Sequence, residues 1–142
     1  AGEALLLRAV PRLLAGRHRE TPLDLAAGSY FGGRRPEDGR IDWSRPAWDV
    51  HNLIRAVAPP YPGAFTDLGA RRLWVLGTWF GGQQAKGGSP RLYWEADDCY
   101  ADCADGKRLR LTRLASDGDT LARAGFVVRF GADALDLPLP AP

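Results

Sequence analysis

The apolar positions near the start of the chain recur with a helical period. Leu6, Val10, Leu13 and Leu14 fall at i, i+4, i+7 and i+8, one face of a helix over residues 3–15. Pro11 lies inside and is expected to kink or break that helix, and Gly16 supplies a stop. The polar stretch from Arg17 to Leu25, with Pro22, reads as a connector. Ser29 to Gly39 has the Gly- and Arg-rich composition of a loop. A second helix is expected over residues 45–57, with Ser44 as its N-cap. Ala47, Val50, Ile54 and Val57 share its apolar face, while Trp48, Asn52 and Arg55 share another. Prolines 59, 60 and 62 end it.

After Gly63 the period changes to two. Leu73 to Phe80 is an apolar run, and Leu92, Trp94 and Ala96 alternate with Arg91, Tyr93 and Glu95. Asp105-Gly106 is a hairpin signal, followed by Leu109 and Leu111 alternating with Arg108, Arg110 and Thr112. Phe126, Val128 and Phe130 alternate with Val127 and Arg129, which reads as a further strand. Several short strands with regular turns predict a small barrel or sandwich. Residues 138–142 read as a loose tail.

Composition changes this picture little. With 142 residues, 45% apolar and 25% charged, the chain suits one compact globular domain. The net charge of +2 gives no reason to expect a large nucleic-acid footprint. No apolar run reaches the length of a membrane span and no signal-peptide pattern opens the chain, so the default compartment is the cytoplasm. The absence of Met suggests a start that is processed, trimmed or missing. Cys99 and Cys103 on one strand would sit about 13 Å apart, too far for a disulfide, so they read as two small buried apolar residues.

Three groups of residues could carry chemistry. Gly32-Gly33-Arg34-Arg35 could hold a phosphate, because glycines admit close backbone approach and guanidinium forks bind phosphate oxygens in pairs. The competing reading is a solvated loop whose arginines pair with Glu37 and Asp38. His51, Asn52 and Arg55 lie on an amphipathic helix with no nucleophile or metal-ligand cluster beside them, so packing or loop bracing outweighs catalysis. Trp74, Trp79, Tyr93 and Trp94 could stack on bases, but aromatics in a small barrel more often fill the core.

Three strings together resemble a known family. Gly33-Arg34-Arg35-Pro36-Glu37-Asp38-Gly39-Arg40-Ile41-Asp42-Trp43, then His51-Asn52-Leu53-Ile54-Arg55-Ala56-Val57, then Pro60-Tyr61-Pro62-Gly63-Ala64-Phe65 resemble the folate-dependent formyltransferases in order and spacing. Within that family they are most similar to the enzymes that formylate UDP-4-amino-4-deoxy-L-arabinose for lipid A modification and polymyxin resistance. The resemblance implies an α+β fold: residues 1–27 as the last helix and connector of a Rossmann-like catalytic domain, then residues 28–142 as a helix and a small OB-fold-like open barrel. It implies transfer of a formyl group from 10-formyltetrahydrofolate to the amine of a nucleotide-linked amino sugar, with no metal. The family's catalytic Asn-x-His and supporting Asp belong to the N-terminal domain. No Asn-x-His occurs here, so no catalytic residue is carried over and this segment alone is expected to be inactive.

What the resemblance carries over is one edge of the substrate site. Arg34 is the first candidate for the diphosphate, Arg35 the second and Tyr30 a stacking candidate, with Asp38, Asn52 and Arg55 supporting the loop. The implied partners are the nucleotide-linked amino sugar and the N-terminal catalytic domain, with no membrane insertion and no nucleic acid; a homo-oligomer is compatible with the sequence. Two alternatives stay open. One is the C-terminal, tRNA-binding part of a methionyl-tRNA formyltransferase, against which the acidic cluster Glu95, Asp97, Asp98, Asp102 and Asp105 speaks. The other is a non-catalytic OB-like binding module with its aromatics exposed.

Overall fold

The structure, a computed structural model, describes residues 2–29, 32–33 and 35–139. The chain divides into two compact units, Ala1–Gly33 and Arg34–Pro142.

The first unit holds helix α1 (Gly2–Leu14) and a short 3-10 turn at Leu25–Ala27. The helix continues through Pro11, where the sequence suggests a kink or break. Its end is a Schellman motif. Gly16 takes a φ of +67°, Arg17 N–H donates to the Arg12 carbonyl at 2.9 Å and Gly16 N–H to that of Leu13 at 3.0 Å. No residue of α1 is buried within this unit.

The second unit carries the core. Helix α2 (Ala47–Ala56) is followed by strands β1 (Ala64–Leu68), β2 (Arg71–Trp79), β3 (Arg91–Glu95), β4 (Asp98–Asp102), β5 (Arg108–Ser116) and β6 (Asp119–Thr120). Helix α3 (Arg123–Phe130) and strand β7 (Ala134–Asp136) complete it. The strands form one antiparallel sheet in the order β1-β2-β5-β4-β3-β7, with β6 beside β5. The sheet curls into an open half-barrel, so the chain has the α+β class expected.

Register explains which side chains meet. Leu92, Ala101 and Leu109 stand in one cross-strand row, and Trp94, Cys99, Leu111 and Thr78 in the next. These rows face the core, which α2 enters with Ala47, Val50 and Ile54. The opposite face carries the rows Arg91–Asp102–Arg108 and Tyr93–Tyr100–Arg110–Trp79. Trp43 is fully buried, and its indole N–H donates to Thr66 Oγ1 at 3.1 Å. Asp102 is also fully buried. It accepts from Tyr93 OH at 2.9 Å and from the backbone N–H groups of Lys86 (3.1 Å) and Gly87 (3.0 Å), which straps the loop after β2 to the sheet. Cys99 and Cys103 are free and buried. Burial raises both thiols, that of Cys103 to about 12 with help from the negative charges of Asp105 and Asp102.

Several expectations are corrected. Residues 126–130 belong to helix α3, not to a strand. Phe126 is fully buried while Val128 is 87% exposed, and the Phe126 and Phe130 rings meet at 4.7 Å, the i, i+4 contact of a helix. Ser44 is not the N-cap of α2, which begins after Pro46. Its N–H and hydroxyl both engage Asp42 Oδ1, an Asx turn that competes with capping. Ala96 leaves the β3 alternation for the β3–β4 turn, with a φ of +51°. Of the expected loose tail, residues 140–142 lie outside the described residues; Leu137, just before it, is buried and donates its N–H to the Pro90 carbonyl at 3.1 Å. The Asp105-Gly106 hairpin forms as the sequence indicates, with Gly106 at φ +72°.

Candidate functional site

The loop leading into the second unit is anchored from its C-terminal end. Pro36–Gly39 makes a 3-10 turn. Gly39 is buried there because a Cβ would stand 2.4 Å from the Gly63 carbonyl oxygen, so the two segments meet only if this residue is glycine. Ile41 N–H then donates to the Phe65 carbonyl at 2.8 Å, which makes residues 40–41 a short parallel extension beside β1. Arg40 and Arg72 converge on Asp67 at 2.8 and 2.9 Å, and both guanidinium groups lie over the Phe65 ring. The hydrogen bond from Arg72, with that from Arg40, holds the Asp67 carboxyl below its ordinary value.

Among the described residues, the loop's acids have partners other than the Arg35 guanidinium. Glu37 pairs with Arg40 at 3.4 Å, and Asp38 accepts the backbone N–H of Arg35 at 2.7 Å. Both acids are engaged elsewhere, so the Arg35 guanidinium has no ion pair among the described residues. It is exposed at the loop's N-terminal end. Of the predicted site residues, Arg35 and Asp38 are therefore brought together, with Asp38 bracing the Arg35 backbone. Arg34 and Tyr30 lie outside the described residues. Asn52 and Arg55 stand on α2, with no hydrogen bond or ion pair to the loop among the described residues.

The α2 face holds what the sequence does not disclose. His51 Nδ1 lies 2.8 Å from Thr78 Oγ1 on β2, which fixes the imidazole. Burial, and then the neighbouring Arg55 charge, lowers the basicity of His51. Trp48, His51 and Phe80 form a nest of rings, with centroids 5.7 Å apart for Trp48–His51 and Trp48–Phe80 and 6.3 Å for His51–Phe80. The i, i+3 spacing of Trp48 and His51 is visible in the sequence. Phe80 comes from the far end of β2, and no local pattern could place it there.

Within the acidic cluster, Glu95, Asp98 and Asp102 have partners. Glu95 pairs with Lys86 and Arg108, each at 2.8 Å, and Asp98 pairs with Arg110 at 3.1 Å. Asp102 is buried, as described. Of the four aromatics weighed for stacking, Tyr93 is buried, Trp94 packs against Phe126 and Trp74 packs against Phe65. Trp79 alone of these four is more than half exposed, at 52%.

A curled antiparallel half-barrel with one helix on its inner face and an Arg-bearing loop leading in defines a small α+β domain. The family model described as "Formyl transferase, C-terminal domain" matches residues 34–130, starting where the second unit starts. The chain belongs to this formyl transferase C-terminal family. Among the described residues no helix is long and apolar enough to cross a membrane, and no group of three or more His, Cys, Asp or Glu side chains could hold a metal ion.

Proposed function

We propose that this chain is the C-terminal part of a formyltransferase that moves a formyl group from 10-formyltetrahydrofolate to the amine of a UDP-linked amino sugar, UDP-4-amino-4-deoxy-L-arabinose being the first candidate. Residues 1–27 then belong to the catalytic domain, which supplies the oxyanion donor, the base and most of the folate site. The Tyr30–Asp38 loop contributes an edge to the sugar-nucleotide site, with Arg34 and then Arg35 as candidates for the diphosphate and Tyr30 as a stacking candidate.

One observation carries this reading: the loop's own acids are committed to Arg40 and to backbone, and among the described residues the Arg35 guanidinium has no ion pair, so it can meet an anion. The outer sheet face supports it by contrast. Lys86, Arg108 and Arg110 are already paired with carboxylates, so they offer little to a tRNA backbone.

The test is steady-state kinetics of the formyltransferase that contains this chain. Arg35→Ala should raise KM for the nucleotide sugar about tenfold, the worth of one charge-assisted contact. KM for 10-formyltetrahydrofolate should stay unchanged. An unchanged sugar KM removes Arg35 from the site. Turnover of methionyl-tRNA instead of the sugar overturns the reading.

A further inference from the structure

We propose that the exposed face of α2 is a second ligand site, which takes a nucleobase carrying a phosphate. Trp48, Asn52 and Arg55 lie at i, i+4 and i+7 on one helical face. Each supplies a different part of such a ligand's chemistry.

Trp48 is 52% exposed although it is wedged against His51 and Phe80. A large indole held on one side by two rings and open on the other is a preformed stacking platform. It loses little side-chain freedom on binding. The Thr78 contact keeps His51, a member of the nest, in one orientation. Arg55 is exposed and has no carboxylate partner among the described residues, although most arginines of the second unit have one. Asn52 is half-buried, and its carboxamide has no hydrogen-bond partner among the described residues. A carboxamide offers a donor and an acceptor side by side, which matches the edge of a heterocyclic base. Stacking surface, hydrogen-bonding edge and free cation thus stand on one face of one helix, and α2 is fixed by Ala47, Val50 and Ile54 in the core.

This inference rests on residues other than the Arg35 loop. It shares with the proposed function only the idea that nucleotides are this protein's ligands.

The probe is uridine 5′-monophosphate, titrated into the 142-residue chain and followed by two-dimensional NMR. The Trp48 indole signal is assigned by its loss in Trp48→Phe. Saturable shifts at Trp48, Asn52 and Arg55 with a Kd of about 1 mM or tighter are expected. Uridine and inorganic phosphate should each bind at least tenfold more weakly. Trp48→Ala and Arg55→Gln, both at exposed positions, should each weaken binding at least fivefold with unchanged spectra elsewhere. No shift on α2 overturns the site, as does equal binding by Trp48→Ala. Uridine binding as well as its monophosphate removes Arg55 from it and reduces the site to a ring-stacking surface, which also overturns the proposal. Since the sugar KM of Arg35→Ala is a separate readout, either proposal can fail while the other stands.

Discussion

Helices α1 and α2 are alike on paper and unlike in the molecule. Both carry an apolar stripe at helical spacing, and α1 has the greasier one, with Leu6, Val10, Leu13 and Leu14. Yet α2 buries Ala47, Val50 and Ile54 against the sheet, while Leu6 of α1 remains 61% exposed and Leu14 85%. An amphipathic pattern states that a helix needs a partner; it does not supply one. Short helices draw most of their stability from such packing, not from propensity.

Four substitutions measure what packing contributes in each region. Ile54→Ala should have the largest effect, a loss of about 2–5 kcal/mol in denaturant unfolding, because the site is fully buried in α2. Next comes Asp102→Asn, which places an amide where three donors converge. A loss of about 2–3 kcal/mol is expected, with faster hydrogen exchange at Lys86 and Gly87 as the local signature.

A smaller effect lies in acid titration. The Asp67 carboxyl is lowered from 3.8, so its contribution is present above that value and lost as pH falls through the folded value. Its side chain is 36% exposed, so solvent screening keeps the effect below about 1 kcal/mol. Asp67→Asn should flatten that part of the stability curve. The smallest change should come from Leu6→Ala in this chain, within about 0.5 kcal/mol. A loss as large as that of Ile54→Ala would mean that α1 is covered after all.

How much of this was legible follows from where the information lies. The β2 run, the Asp105-Gly106 hairpin and the inner face of α2 are local patterns, and all are present in the fold. Phe126, Val128 and Phe130 satisfy a period of two as well as Phe126 and Phe130 satisfy i, i+4, so the local pattern does not separate helix α3 from a strand. What decides for a helix is distant. Arg129 reaches the Ser116 carbonyl, Asp117 and Asp119, and the Phe126 ring meets that of Trp94 at a tilt, 5.8 Å between centroids. Ser44 has the residue type of a cap, but Asp42, two residues earlier, takes its hydrogen bonds. At the loop, the sequence displayed Arg35 among nearby acids but not which acid pairs with which cation. The answer depended on Arg40 meeting Asp67, 27 residues away. The ring nest on α2 was hidden for the same reason, since Phe80 joins it only after β2 folds back.

The two buried thiols make the domain a clock for its own opening. A thiolate is the reactive form, and burial keeps Cys99 and Cys103 protonated and out of reach at neutral pH. Cys99 sits within the central strand β4, so an alkylating reagent can meet it only when the sheet opens, whereas Cys103 sits in the β4–β5 turn. Labelling of Cys99 over time would therefore count openings of the sheet, and labelling of Cys103 would add those of the turn, without any probe having to be introduced.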